Sequence, residues 1–441
     1  MQYISGENLQ TILTNNQQKI VLYVLTDHKQ HSCNNSLSCM YIKTTDGEFF
    51  SSFDHPDYPT QSTEGLVINN AYTINIKDLV NLGIVVNNSV DLLYFNDTPE
   101  VSKLSHFYHT KLPVVKNVNR IIPLYSHLES MQEIGRELKP KKGMTDRYKT
   151  MYHHLIPSVF SSIERRGVPV NDELFLNHYG QDKRYLIQEN RVYTSYNLYT
   201  KTGRPSNTHG GINYAALNKT DGSRDIFQSD KLLVNIDFNS YHLFLICDKL
   251  GIEIPENAHE WLGKMYFNKD TLNDVEYNEA KKITFRNLYG YEMDENVKSL
   301  QLFQEIQKFQ EGLWAQYQSC GYLVTDYDNH IVVDKDRPFR NGKNIVFNYY
   351  IQALETETNV KQMYTLIKNS LTPILYTYDS MVFEITPDEV EFTRDVLKDK
   401  LLFPYTVKVG HNFNFWLSET YLLMYILHEH QYENTITIYI L

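Results

Sequence analysis

The chain predicts an α+β protein of more than one domain, and three observations carry that prediction. Its 441 residues are enough for two to four domains with at least one large core. Apolar runs of strand length at Ile20–Leu25, Leu232–Phe238 and Ile374–Ile385 are spread among stretches with helical periodicity. A hydrophobic fraction of 42% with 13% aromatic residues marks a globular chain, not a disordered one.

Residues 1–125 read as strand-rich with short helices. Ile20–Leu25 and Ser38–Thr44 have strand composition, and Asp46-Gly47 is a turn signal ahead of the strand-like Phe49–Ser52. Pro140–Gly143 is polar, basic and bears Pro and Gly, as a linker does. From Thr145 a helical pattern runs through Tyr152, Leu155, Ile156, Val159, Phe160 and Ile163, ending near Gly167. Leu232–Phe238 predicts a strand with Asp237 near its end, followed by an apolar helix over Leu243–Leu250. Ile374–Ile385 predicts two strands or a bent hairpin with Asp379 at its apex, and Thr202–Ser206 a loop carrying one guanidinium. No internal repeat or low-complexity tract interrupts these elements.

The formal net charge of −11 offers no global attraction to nucleic acid, so phosphate binding would need a local basic surface. Arg136, Lys139, Lys141, Lys142, Arg147 and Lys149 cluster in one stretch that suits a solvated linker as well as a phosphate-contacting face. The 34 tyrosines supply rings for base stacking or for packing. Cys33, Cys39, Cys247 and Cys320 form no CxxC pair, and His28, His31, Cys33 and Cys39 match no common zinc spacing. Scattered cysteines, the lack of a signal peptide and an apolar run (Tyr421–Leu427) too short to span a bilayer lead to the expectation of a soluble cytoplasmic protein.

The chemistry concentrates in Ala280–Gly290. Lys281, Phe285 and Tyr289 recur at steps of four, so a helix presents them on one slowly drifting face. A cation, an apolar ring and a hydroxylated ring in that order suit a triphosphate, a base and a sugar, and Gly290 follows where a helix bends or ends. An amphipathic helix with a core Phe and Tyr would look the same in isolation. Two aspartates on adjacent strand ends, Asp237 and Asp379, can hold two Mg²⁺ ions, which take one or two carboxylates each and complete their shells with phosphate and water. Such a pair of ions clamps the attacking and leaving oxygens of a phosphoryl transfer, while a nearby lysine neutralises departing pyrophosphate.

In this order the residues resemble the polymerase motifs of family A DNA polymerases, the class of bacterial DNA polymerase I and many phage replicases. Asp237-Phe238-Asn239-Ser240-Tyr241-His242 is similar to motif A, Lys281 to Gly290 to motif B, and Tyr378-Asp379-Ser380 to motif C. Thr202-Gly203-Arg204-Pro205-Ser206 resembles the primer/template loop, Arg224-Asp225-Ile226-Phe227 the lead-in to motif A, and Phe347-Asn348 with Gln352 the residues that feel the minor groove. The resemblance spans roughly residues 150–420. It implies a right-hand polymerase fold: a palm with helical fingers and a reduced thumb, preceded by an α/β exonuclease-like (ribonuclease H-like) domain. The implied divisions are 1–125 for that domain, 126–190 for linker and thumb, 191–251 and 343–441 for the palm, and 252–342 for the fingers. Asp237 and Asp379 would be the metal ligands. Lys281, Phe285, Tyr289, Gly290 and His242 would meet the nucleotide, and Arg204, Arg224, Asn348 and Gln352 the DNA. The implied activity is DNA polymerisation from dNTPs on a primer-template with Mg²⁺, by a divergent phage-type replicase acting in a host cytoplasm, with no membrane association.

Four departures qualify the resemblance. The Arg that usually precedes the motif B Lys by four positions is Tyr277, and Arg286 sits on a different face. The sugar-selecting motif A Glu falls at His242, whose imidazole can block or hydrogen-bond the same place. Motif C reads Tyr-Asp-Ser, without the usual second carboxylate, and strand alternation turns Glu384 away from Asp379. Between Arg166-Gly167-Val168-Pro169-Val170-Asn171 and Thr202 only about thirty residues remain for a thumb, room for two short helices at most. That shortage implies weak grip on duplex DNA and a processivity or replication partner. The strand Ile20–Leu25 leads into Thr26-Asp27-His28-Lys29 with no paired carboxylate, and Asp46-Gly47-Glu48 sits in a turn, so a nuclease-deficient domain is expected. The alternatives are a single-subunit RNA polymerase-like enzyme and a catalytically inactive polymerase-fold protein that binds DNA.

Overall fold

In the computed structural model the described residues are 1–27, 30–95, 121–138, 143–207, 212–289, 295–332, 342–415 and 417–418. The strand-rich start of the chain forms a six-stranded mixed sheet. Its strands are β1 (Gln2–Tyr3), β2 (Lys19–Leu25), β3 (Leu37–Lys43), β4 (Glu48–Ser52), β6 (Ala71–Thr73) and β8 (Val90–Asp91), in the order β1-β4-β3-β2-β6-β8. A separate parallel pair consists of β5 (Val67–Asn69) and β7 (Val85–Asn87). Strands β2, β3 and β4 run antiparallel, whereas β6 lies parallel to β2 and β8 parallel to β6. Strands β2 and β3 are buried along nearly their whole length, which explains their continuous apolar runs. The three strands expected from residues 20–52 are therefore present within a residue at each end, and the Asp46-Gly47 turn is closed by the Thr44 N–H on the Gly47 carbonyl.

Helices α1 (Gly6–Thr14), α2 (Ile76–Asn81) and α3 (Ile121–Glu137) belong to the same unit. On α3 and just after it, Leu124, Leu128, Met131, Ile134 and Leu138 join the core of the sheet, so this unit continues beyond residue 125. The helical pattern from Thr145 starts with the Thr145 hydroxyl capping the Tyr148 N–H. It passes through a π-helical stretch, Lys149–Leu155, into α4 (Ile156–Glu164). Pro157 has no N–H to give the preceding turn, which accounts for the widened ladder there.

Helix α4 ends on Glu164, a fully buried carboxylate. Its Oε1 meets the Lys77 ammonium at 2.5 Å and accepts from the Tyr196 N–H at 2.6 Å. Its Oε2 accepts from the Asn81 amide at 2.7 Å and lies 3.3 Å from His31 Nε2. Burial alone would raise its pKa, but Lys77 and His31 outweigh that and hold it at about 2. The chain segments Tyr193–Thr200 and Pro205–Ile212 complete this unit.

The second unit comprises Val168–Val192, Lys201–Arg204 and the described residues from Asn213 on. It starts with a three-stranded antiparallel scrap of sheet (Val168–Pro169, Ile187–Gln188, Arg191–Val192) and one eight-residue helix, α5 (Asp172–Tyr179), capped by Asn171. The larger sheet is antiparallel: β9 (Gln228–Phe238), β10 (Leu375–Thr377), β11 (Ser380–Ile385), β12 (Tyr405–Asn412) and β13 (Leu417–Ser418), in the order β10-β11-β9-β12-β13. Strands β10 and β11 form the hairpin expected at Ile374–Ile385, joined through Tyr378 and Asp379.

Helices α6 (Tyr241–Leu250), α7 (Ala258–Phe267), α8 (Asp274–Tyr289), α9 (Gln301–Cys320), α10 (Gly342–Lys368) and α11 (Val390–Lys400) complete this unit. The longest, α10, buries Val346, Phe347, Tyr350, Ile351, Leu354, Val360, Met363 and Leu366 at helical spacing. Among the described residues no helix is long and apolar enough to cross a membrane, and no group of three or more His, Cys, Asp or Glu is placed to hold a metal ion. His28, Gly290, residues 139–142 and Tyr421–Leu427 lie outside the described residues.

The Glu164 cluster gives a stability test. Glu164→Gln leaves buried Lys77 with only the more distant Asp78 carboxylate, 3.9 Å away, and should destabilise the protein by about 3–5 kcal/mol at neutral pH. The folded pKa lies below the ordinary 4.5, so the stabilisation is full above that pH and fades as pH falls toward about 2. Urea unfolding should accordingly show a large gap between wild type and variant at neutral pH and a much smaller one in strong acid.

Candidate active site

Strand register builds the centre of the site. Asp237 pairs with Ser380 on one side of β9 and with Thr406 on the other, and the Phe238 N–H donates to the Asp379 carbonyl at 2.9 Å. The two aspartates thus stand on neighbouring strand ends. Burial raises the pKa of both; Asp379 is raised further by Asp237 and Glu355, while Lys408, Lys281 and Lys219 work against the rise at Asp237. Two carboxylates, Asp237 half-buried and Asp379 open to solvent, form a pair of hard-oxygen donors on one wall of the cleft. That set fits Mg²⁺.

The hairpin turn is held in an uncommon conformation. Tyr378 has φ +64, which for a residue with a bulky side chain costs about 1–3 kcal/mol. Two contacts keep it there. The Asn359 amide donates to the Tyr378 carbonyl at 2.9 Å, and the Arg204 guanidinium lies 3.8 Å from the centre of the Tyr378 ring. Asn359 also donates to the Tyr376 hydroxyl at 3.0 Å and accepts from the Tyr241 hydroxyl at 2.5 Å. One buried amide on α10 therefore ties together the chain on either side of Asp379 and the start of α6.

After Asp237 the chain reverses through Ser240, at φ +47, into α6. His242, in the first turn of α6, bonds the Tyr289 hydroxyl through Nδ1, and its Nε2 lies 3.3 Å from Glu355 Oε1. Helix α8 supplies the facing wall with Lys281, Phe285 and Tyr289, as their spacing predicts. Phe285 and Tyr289 lie nearly parallel, 6.3 Å apart. Helix α8 meets α7 closely: a Cβ on Gly263 would sit 2.7 Å from the Ala280 Cβ, so only glycine allows this approach next to Lys281.

The cleft between these elements has a volume of about 580 Å³, and Asp237, Asp379, His242, Lys281, Phe285 and Arg204 all line it. Tyr289 joins them through His242, and Gln352 is held near Arg204 by the Thr202 hydroxyl at 3.1 Å. Asn348 and Arg224 are not among its lining residues; the Arg224 Nε donates to the Leu217 carbonyl at 3.2 Å. Glu384, on β11, is engaged by Arg191 and by the Ser229 hydroxyl. The Ser380 hydroxyl, in place of a second motif C carboxylate, donates to Asn235 at 2.7 Å.

Four residues of the site were not anticipated as contributors. His259 on α7 lines the cleft with its ring 5.3 Å from that of Phe285, and burial together with Lys281 lowers its pKa to about 4, so it is neutral. Nothing in its local pattern distinguishes it. Asn359 and Glu355 belong to a set of buried polar residues on α10 with Thr356, Glu357 and Gln362, a signal the sequence did contain. Tyr277, at the place where an Arg was missed, also lines the cleft.

No family model and no curated protein matches the chain. Among solved structures it is similar to the POL domain of Pol1 from M. smegmatis in complex with DNA primer-template and dNTP. The likeness covers 94% of this chain and 99% of that one at 11% sequence identity, with a TM-score of 0.62. At that identity the likeness is one of fold, and the chain has a mixed α+β polymerase-domain fold.

Proposed function

We propose that the chain is a template-directed DNA polymerase of the family A kind, adding dNTPs to a primer 3′ end and releasing pyrophosphate. The observation that carries this reading is the convergence of Asp237, Asp379 and Lys281 on one cleft. Two Mg²⁺ ions held by Asp237 and Asp379 would activate the 3′-hydroxyl and neutralise charge on the triphosphate. Lys281 would bind the triphosphate as a cation, and neutral His259 would donate a hydrogen bond beside it, making up in part for the Arg replaced by Tyr277. Phe285 would stack on the incoming nucleotide, with Tyr289 and His242 beside its sugar. Arg204 and Gln352 would face the primer-template, as would Asn348 and Arg224 outside the cleft. The neighbour's own complex with primer-template and dNTP supports these ligands.

The first unit fits a ribonuclease H-like domain without nuclease activity. In its support, β4, β3 and β2 are antiparallel neighbours and β6 and β8 follow parallel to β2, with β1 an added edge strand parallel to β4, while β2 carries no carboxylate. Asp91 is spent on structure, accepting the N–H groups of Asn75, Ile76 and Leu93 at 2.8–3.1 Å. The single helix α5 leaves little material for a thumb, which supports low processivity and the need for a partner protein.

Primer extension with Mg²⁺ tests the assignment. The wild type should extend a primed template with dNTPs but give short products against a DNA trap. Asp379→Asn should lose more than about 100-fold in rate, beyond what loss of an outer-shell partner costs a metal site. An unchanged rate would leave an inactive DNA-binding protein as the better account.

Steady-state kinetics separate the nucleotide contacts. Lys281→Ala should raise KM for dNTP about 10- to 100-fold, and His259→Ala about 3- to 10-fold, the ranges for charged and neutral hydrogen bonds. Purified protein should not degrade single-stranded DNA with Mg²⁺ or Mn²⁺; degradation that survives Asp379→Asn would contradict the nuclease-deficient reading.

A further inference from the structure

Glu355 is wholly inaccessible to solvent, yet it lies at the wall of the cleft, three residues along α10 from Gln352. A carboxylate taken out of water persists only with charged or hydrogen-bonding partners. Glu355 has two. Arg204 reaches Oε2 with Nε at 2.8 Å and Oε1 with its terminal nitrogen at 3.3 Å, and His242 Nε2 lies 3.3 Å from Oε1. The second nitrogen of His242 is bonded to Tyr289. Arg204, Glu355, His242 and Tyr289 thus form one continuous chain across the cleft.

The donors and acceptors along that chain follow from chemistry. An ionised carboxylate only accepts, so a neutral His242 carries its proton on Nε2 and accepts the Tyr289 hydroxyl on Nδ1. Both ring nitrogens are then spent, and the imidazole is fixed from two sides. If Asp237 and Asp379 mark one end of a bound triphosphate and Lys281 the other, the sugar rests near His242 and Tyr289. An additional hydroxyl there would meet the fixed imidazole and phenol rings, whose N–H and O–H donors are both already spent. Burying a hydroxyl short of partners costs free energy, so such a site disfavours it.

We infer that Glu355 is a positioning residue for sugar selection: it fixes the His242–Tyr289 pair so that the cleft excludes nucleotides bearing a 2′-hydroxyl. This rests on the polymerase reading above and goes beyond it, because it assigns the selection to a buried carboxylate on α10 acting through an imidazole. Glu355 is not a third metal ligand, being occupied by Arg204 and His242.

The test is single-nucleotide incorporation on a primed template, comparing kcat/KM for a dNTP with that for the matching rNTP. The wild type should favour the dNTP. Glu355→Gln, whose amide can donate and so release the fixed tautomer, should lower the preference at least about tenfold, as should His242→Ala. Combining the two should cost no more selectivity than His242→Ala alone, because the residues act as one unit. His242→Gln keeps a donor toward Glu355 and an acceptor toward Tyr289, and should retain more selectivity than His242→Ala; this comparison decides the matter if Glu355→Gln does not fold. A folded Glu355→Gln protein with wild-type selectivity would overturn the inference, as would multiplicative losses or a wild type indifferent to the sugar. A wild type that incorporates neither nucleotide would instead overturn the polymerase reading.

Discussion

The site depends on two carboxylates that strand register brings to one wall of the cleft. Pairing Asp237 with Ser380, and the Phe238 N–H with the Asp379 carbonyl, keeps the two backbone positions together for as long as the β9–β11 ladder holds. Loss of solvation raises both pKa values, and repulsion from Asp237 and Glu355 adds to the rise at Asp379, so the ionised pair costs stability; Lys408, Lys281 and Lys219 work against the rise at Asp237.

The fold offsets the cost from behind. Asn359 holds Tyr378 in its left-handed conformation and links Tyr376 to Tyr241, so one amide controls the backbone next to Asp379 and the helix start after Asp237. Gln362 extends the support, donating to the Tyr241 hydroxyl at 3.3 Å and accepting from the Leu402 N–H at 3.0 Å. On the opposite wall the close Gly263–Ala280 crossing sets how near Lys281 can come. A polar network that is satisfied in this way fixes positions that apolar packing alone would leave adjustable.

Much of this was legible in the sequence, for physical reasons that differ by element. The strands of residues 20–52, the β10–β11 hairpin and the helix carrying Lys281, Phe285 and Tyr289 follow from local periodicity and turn chemistry, which need no tertiary information. The pairing of Asp237 with Asp379 needed the order of motifs, because the two lie far apart in the chain. His259 was invisible: a single histidine carries no periodic signal, and its role exists only once α7 crosses α8. Glu355 was overlooked because its partners, Arg204 and His242, come from distant segments. The continuation of the first unit past residue 125 was hidden for a related reason, since the apolar face of α3 shows that it packs but not against what.

The central claim is that Asp237 and Asp379 together hold two divalent ions. Its most direct measurement is the number of Mn²⁺ ions, standing in for Mg²⁺, bound by the protein with a non-extendable primer-template and a matching dNTP, counted by electron paramagnetic resonance. The account predicts two bound ions for the wild type and at most one for Asp237→Asn. Equal binding by wild type and variant, or none by the wild type, would contradict it.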